Sequence, residues 1–243
     1  MDYSFLQCGE GALTVHLGDG IDPAINRRVT ALQGAIDSAG LRGITDLIPA
    51  YADLTVCYDC TVISAKALQR QLRRLLDSLS VAGQDRRRVF RLPVCYGGDY
   101  GPDLDFVCHH SGLSAQEVIA LHSAPDYLIY MLGFLPGFAY LGGLDPRLHT
   151  PRLDSPRTCI PAGSVGIGGA QTGVYPLASP GGWQLLGRTP VSVFDRQRQE
   201  PILYRAGDLV HFVPISHAEY EEIARAVAAG TYTVQVEEVP VCD

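Results

Sequence analysis

The sequence predicts an α+β protein in two parts, an α/β part followed by a β-rich part. Helical and strand-like hydrophobic periods alternate over residues 1–96, whereas residues 133–190 are rich in glycine and proline and contain no segment with a helical period. The 243 residues are 47% hydrophobic, enough for one large or two small domains. We place the boundary beside Gly97–Gly98 and Gly101–Pro102, which gives domains of residues 1–96 and 97–243.

The first part has the predicted order strand, strand, helix, strand, strand, helix, strand. Asp22 and Pro23 form an N-cap and first-turn pair for the first helix, Gly40 is a stop signal, and Ser64 caps the second helix. This order contains a split βαβ, ferredoxin-like unit with one extra strand. The helical stripes are Ile25, Val29, Leu32 and Ile36, then Leu68, Leu72, Leu75 and Leu79, and the strands are predicted at residues 3–8, 12–17, 44–51, 54–58 and 87–94.

The second part begins with a helix and continues mainly as strands. Ser114 and Glu117 form a capping box at the start of that helix, and Ser216 and Glu219 form another, which opens a helix to about residue 229. Short strand-like pieces between glycines and prolines predict a twisted barrel or sandwich with long functional loops. The other predicted strands are residues 127–132, 191–194, 202–204, 209–213 and 232–239.

Composition excludes several classes of function. A net charge of −7 gives no general attraction for nucleic acid or anionic membranes. No apolar stretch approaches the roughly 18 residues that a membrane helix needs, and the first 20 residues have no signal-peptide pattern. The seven cysteines lie mostly in apolar, strand-like runs, so we expect reduced thiols and a cytoplasmic location.

A series of short motifs fills residues 133–190. Their glycines let the backbone approach a ligand closely, and their prolines stiffen the loops that carry polar side chains. A barrel with many tight corners would need the same glycines and prolines, and composition alone does not separate these interpretations. The motifs are G-F-L-P-G-F-A-Y-L at 133–141, P-R at 151–152 and 156–157, P-A-G-S-V-G-I at 161–167, Q-T-G-V-Y-P at 171–176, S-P-G-G-W at 179–183 and G-R-T-P at 187–190.

In this order and spacing, the motifs resemble those of the KipI/PxpB family, also called allophanate hydrolase subunit 1. The resemblance covers essentially the whole chain, and the departures are mild, with Cys159 and Ile160 standing before Pro161 where valine is usual. It implies a ferredoxin-like N-terminal α/β domain followed by a C-terminal cyclophilin-like β-barrel.

The resemblance also implies a function. It predicts a subunit of an ATP-dependent 5-oxoprolinase that opens 5-oxo-L-proline to L-glutamate. The implied partners are a PxpC-like (allophanate hydrolase subunit 2) protein and a PxpA-like (LamB/YcsF) protein, and a partner could supply the site for ATP and Mg. The sequence has no phosphate-binding loop and no evident nucleophile dyad, so we expect no activity from the chain alone. Two alternatives are an inhibitor of a sensor histidine kinase, which would then be the partner, and a carboxyltransferase-like module related to urea carboxylase.

Seven residues are candidates for the site. His122 matches the family's histidine and could act as a general acid or base, or could merely bond a nearby carbonyl. Each arginine of the motif block could hold an anion or form a structural ion pair. Adjacent His109 and His110 do not have the spacing of metal ligands, so we predict no metal site. The predicted substrate-binding residues are Arg152, Arg157, Gln171, Tyr175, Trp183 and Arg188, with Tyr175 and Trp183 as an aromatic wall or barrel core.

Overall fold

The computed structural model describes residues 3–79 and 86–240. Its contacts divide the chain into two compact units, Met1–Asp85 and Arg86–Asp243, each described by itself below. No described helix is both long enough and apolar enough to span a bilayer.

Within residues 3–79, the first unit is a four-stranded antiparallel sheet with two helices. Local signals define the helices: Asp22 Oδ1 accepts from the Ala24 amide at 2.6 Å, and Gly40 ends the first helix with φ 56°. These predictions are confirmed. The elements are β1 Ser4–Cys8, β2 Ala12–His16, α1 Pro23–Ala39, β3 Ile44–Pro49, β4 Asp53–Tyr58 and α2 Ala65–Asp77, with sheet order β1-β2-β4-β3.

The core of this unit lies between the two helices and one face of β2 and β4. Leu68, Leu72 and Leu76 are the buried positions of α2, so Leu76 takes the place that the sequence assigned to Leu75. Strand β1 lies beside β2, in the position that a ferredoxin-like arrangement gives to its last strand. The predicted last strand, residues 87–94, pairs elsewhere, and the ferredoxin-like arrangement is therefore not confirmed.

The second unit is a closed barrel of seven strands with three helices among its described residues. The elements are β5 Arg86–Tyr96, α3 Leu104–Ser111, α4 Ala115–Ser123, β6 Asp126–Leu132, β7 Ala139–Gly142, β8 Arg157–Ile160, β9 Ser164–Gly168, β10 Gln171–Val174, β11 Ser179–Gly181, β12 Gln184–Arg188, β13 Leu209–Ile215, α5 His217–Ala228 and β14 Gln235–Pro240. The order around the barrel is β12-β9-β10-β7-β6-β13-β5, and β5 closes it against β12.

The pairing partners of strand β5 determine where the two units divide. It pairs with β13 in parallel and with β14 and β12 antiparallel, so all its partners come from the C-terminal half of the sequence. The units therefore divide between residues 85 and 86, whereas the sequence placed the boundary between residues 96 and 97. The barrel is confirmed over the sandwich, because seven strands form a closed ring, and among the described residues strands β8 and β11 pair only with each other in a small two-stranded sheet.

Some elements differ from the prediction. Residues 191–194 and 202–204 meet only through one isolated bridge, between Phe194 and Ile202. Helix α3 was not predicted. Asp103 stands at its N-cap position but makes no capping bond, because its carboxylate accepts hydrogen bonds from Arg157 and from the Leu185 amide. Both capping boxes, at Ser114 and Ser216, are confirmed.

Candidate functional site

The G-F-L-P-G-F motif forms a tight loop between β6 and β7. The Leu135 amide donates to the Gly133 carbonyl at 2.7 Å, and Gly137 closes the turn with φ 84°. Phe134 is the one non-glycine residue of the described chain with positive φ, at 64°, and its side chain is 62% exposed. A left-handed backbone is unfavourable for a side chain of this size, so the loop holds Phe134 outward against a local strain.

Behind this loop, three aromatic rings pack edge to face. Phe138 lies 5.5 Å from both Tyr175 and Trp183, centroid to centroid, and all three residues are at least 95% buried. The indole of Trp183 covers Gly168, where a Cβ atom would overlap the ring, and Gly181 leaves similar room for the Tyr175 hydroxyl. The glycines of these motifs thus make space for aromatic rings.

These rings form the floor of an open cavity of about 270 Å³. Arg152 stands at its rim, with its guanidinium carbon 5.9 Å from the centroid of the Trp183 ring, within the range of a cation–π contact. The cavity is lined by Phe134, Phe138, Tyr140, Arg152, Pro156, Tyr175, Pro180, Gly181, Gly182 and Trp183.

One positive charge stands at the cavity. Arg152 is exposed and belongs to none of the ion pairs formed among the described residues. Burial raises the pKa of Tyr175, while a bond from the Trp183 amide and the charges of Arg152 and Arg157 oppose that rise. Since Arg152 is the only charged residue in the described lining, a ligand that enters meets one available cation over an aromatic surface.

Arg157 lies beside the cavity, but its charge is already paired. Its Nη2 donates to Asp103 Oδ1 at 2.6 Å, and Nη1 donates to the Trp183 carbonyl at 3.4 Å. The other Asp103 oxygen accepts from the Leu185 amide at 2.6 Å. The pair therefore ties the start of α3 to the backbone that carries the cavity floor, which is the structural ion-pair interpretation.

Two further candidates do not line the cavity. Arg188 lies in β12 and bonds to Tyr220 of α5, whose pKa is raised by burial and partly lowered again by this arginine. The Nε atom of Arg188 is buried with no partner among the described residues. Gln171 begins β10, directly after the turn from β9.

His122 lies inside the barrel, 0% exposed, with its ring stacked on Phe212. Its Nδ1 is 2.8 Å from the Tyr96 hydroxyl, and its Nε2 is 2.7 Å from Thr172 Oγ1. Thr172 donates its own proton to the Gly166 carbonyl, so Nε2–H must be the donor to Thr172, and Nδ1 accepts from Tyr96. A neutral ring thus satisfies every polar atom.

Burial lowers the pKa of His122 to about 3. A ring that is buried and bonded at both nitrogens presents no free nitrogen to a ligand, and His122 is not among the described residues that line the cavity. The geometry favours a structural role over a general acid or base, with side-chain hydroxyls as partners in place of the expected carbonyl.

Three of the seven sequence candidates, Arg152, Tyr175 and Trp183, therefore meet at one cavity. Sequence reasoning did not select Phe134, Phe138 or Tyr140 as site residues. The sequence could have pointed to these three residues, because all of them belong to the G-F-L-P-G-F-A-Y-L motif, which places aromatic residues in a glycine-containing loop.

Comparison with known proteins agrees with the motifs. The carboxyltransferase domain family, subdomain C and D, matches residues 3–204. The B subunit of 5-oxoprolinase from Bacillus subtilis is 42% identical over 228 residues, which are 90% of this chain and 95% of that protein. The chain belongs to the family of 5-oxoprolinase B subunits.

Two further comparisons support this membership. The B subunit of 5-oxoprolinase from Escherichia coli O157:H7 is 46% identical over 208 residues, covering 85% of this chain and 93% of that protein. The crystal structure of TTHA0988 superposes with a TM-score of 0.75 at 41% identity over 84% of this chain. The matched region makes up only 40% of the TTHA0988 chain.

Proposed function

We propose that the chain is one subunit of an ATP-dependent 5-oxoprolinase, which opens 5-oxo-L-proline to L-glutamate. The observation that carries this proposal is 42% identity across 95% of the Bacillus subtilis protein named as the B subunit of 5-oxoprolinase. The cavity supports it, since a free arginine over an aromatic floor suits a small ligand with one carboxylate and an apolar ring.

The chain contributes part of a shared active site. A lactam is resonance-stabilised, so its opening needs an activated carbonyl and an attacking group, and the described cavity lining offers no nucleophile beside a base. The same lining also fails to fit ATP with Mg, because its described residues include no carboxylate and only one cation for a polyphosphate. Binding and orientation are the roles that these residues can fill.

Two partners complete the proposal, a PxpC-like protein and a PxpA-like protein, all acting in the cytoplasm. Three purified proteins, mixed with 5-oxoproline and MgATP, should release glutamate, and leaving out this chain should abolish the release. The chain alone should give none. Robust turnover by the chain alone, or turnover without it, would refute the shared-site proposal.

One alternative has a specific observation behind it. The family that matches residues 3–204 is described as a carboxyltransferase domain, which favours a carboxyltransferase-like module. Transfer of a carboxyl group from an added carboxylated donor to an added acceptor, without 5-oxoproline turnover, measured with the same three proteins, would favour this alternative. The kinase-inhibitor interpretation stays a prediction, tested by autophosphorylation of a sensor histidine kinase with and without the chain.

At finer detail we also propose that the two units are a ferredoxin-like domain and a cyclophilin-like barrel. The four-stranded sheet with two helices supports the first, with β1 in place of the missing strand, and the closed barrel supports the second. An experimental structure of each unit, superposed on representatives of both folds, tests the assignment.

A further inference from the structure

The cavity is small, and its described lining has few polar side chains. A volume of about 270 Å³ lies just below the roughly 300–1,000 Å³ of pockets that hold drug-sized ligands, so it suits a small molecule. Its floor is apolar, made of the buried rings of Phe138, Tyr175 and Trp183. Apart from Arg152, the described lining offers a ligand only aromatic residues, prolines and glycines.

The single cation fixes where the ligand's charge must lie. Arg152 has no ion-pair partner among the described residues, while Arg157 next to it is neutralised by Asp103 at 2.6 Å. A guanidinium over an indole keeps the outer N–H groups of its planar fork available for two parallel bonds to a carboxylate. The one guanidinium with free N–H groups in the described lining therefore matches a ligand with one carboxylate.

We propose that this cavity takes the substrate of the enzyme, a small cyclic monocarboxylate, with the carboxylate on Arg152 and the ring against the aromatic lining, and that the nucleotide binds on another subunit. The inference rests on the proposed function and assigns the two co-substrates to different chains. Phe134 forms the outer wall and shields the bound ring from water.

The described lining of this cavity does not fit the triphosphate of a nucleotide. A triphosphate needs several cationic or backbone donors together, whereas the described lining supplies one arginine. The substrate carboxylate is therefore the one anion that this lining can neutralise.

The chain carries a built-in reporter for the test. Trp183 is its only tryptophan and forms the cavity floor, so intrinsic fluorescence reports directly on occupancy. The purified chain is titrated with 5-oxo-L-proline, with 2-pyrrolidinone, which is the same lactam without the carboxylate, and with MgATP. We expect saturable change with 5-oxoproline, at least tenfold weaker binding of 2-pyrrolidinone, and no competition by MgATP.

Substitutions of Arg152 test where the carboxylate of 5-oxoproline binds. Arg152→Gln should weaken 5-oxoproline binding at least tenfold, and Arg152→Lys should restore only part of it. Arg147→Gln is the matched control, because Arg147 is an exposed arginine paired with Asp145 outside the cavity lining. In the three-protein mixture, Arg152→Gln should raise KM for 5-oxoproline at least tenfold and leave KM for ATP within twofold.

The outcomes separate this inference from the proposed function. If the mixture turns over 5-oxoproline and Arg152→Gln leaves its KM unchanged, the cavity assignment is wrong and the function stands. If 5-oxoproline binds in an Arg152-dependent way and the mixture shows no turnover, the assignment stands and the function is wrong. Competition between MgATP and 5-oxoproline for the Trp183 signal would overturn the separation of the two sites.

Discussion

The buried histidine of the barrel should make the second unit sensitive to acid. His122 has its pKa lowered from 6.5 to about 3 by burial, whereas the unfolded chain regains the ordinary value. Between these values the unfolded state binds more protons than the folded state, so stability is fully present above about pH 6.5 and falls as pH drops. A shift from pH 7.5 to pH 4.5 should remove about 2–3 kcal/mol through this group alone.

The perturbation is His122→Gln, which keeps a polar side chain but removes the titration. At pH 7.5 we expect a loss of about 1–3 kcal/mol, because the bonds to Tyr96 and Thr172 cannot both be replaced. Between pH 6.5 and pH 4.5, however, the variant should lose about 2–3 kcal/mol less than the parent protein. The control is His109→Gln, at an exposed histidine of α3, which should leave the pH dependence unchanged.

The assay is urea unfolding followed by Trp183 fluorescence at several pH values, since this tryptophan reports on the second unit alone. An unchanged pH dependence in His122→Gln would refute the buried, neutral ring. The same variant tests catalysis in the assembled enzyme. Loss of turnover with full stability and complex formation would restore the general acid or base role and overturn the structural one.

The same geometry gives three further predictions. Arg157→Gln leaves the buried Asp103 carboxylate unpaired and should cost about 3 kcal/mol of unfolding free energy, measured by urea titration; an unchanged midpoint would contradict the paired geometry. Gly168→Ala places a Cβ against the Trp183 indole and should shift its emission and weaken ligand binding, whereas unaltered emission would mean that the ring lies elsewhere. Phe134→Gly relieves a left-handed backbone and should raise stability by about 1 kcal/mol while weakening 5-oxoproline binding, and a lowered melting temperature would argue against strain at this position.

The sequence by itself determined the local features of this protein. Helix starts at Asp22, Ser64, Ser114 and Ser216 were predictable, because a cap is a bond between residues two or three positions apart. The glycine- and proline-rich motifs were also recognisable, because each of them is a run of neighbouring residues in the sequence. Their order was enough to suggest the family. They also marked the loop and floor of the cavity, through Phe134, Tyr175 and Trp183.

What the tertiary structure decided were pairings between distant segments. Strand β5 follows the first unit in sequence yet belongs to the barrel, because its hydrogen-bond partners lie more than ninety residues downstream in β12, β13 and β14. No hydrophobic period states which strands will pair, since period 2 describes only the two faces of one strand.

The same reason separates the candidate residues. Arg152 and Arg157 stand in identical Pro-Arg pairs, and only the fold gives one a carboxylate 54 residues away and leaves the other over an indole. His122 likewise became a core residue through Thr172, 50 residues further along the chain. A charged or titratable side chain takes its role from the groups that surround it, and sequence specifies those groups only where they are neighbours along the chain.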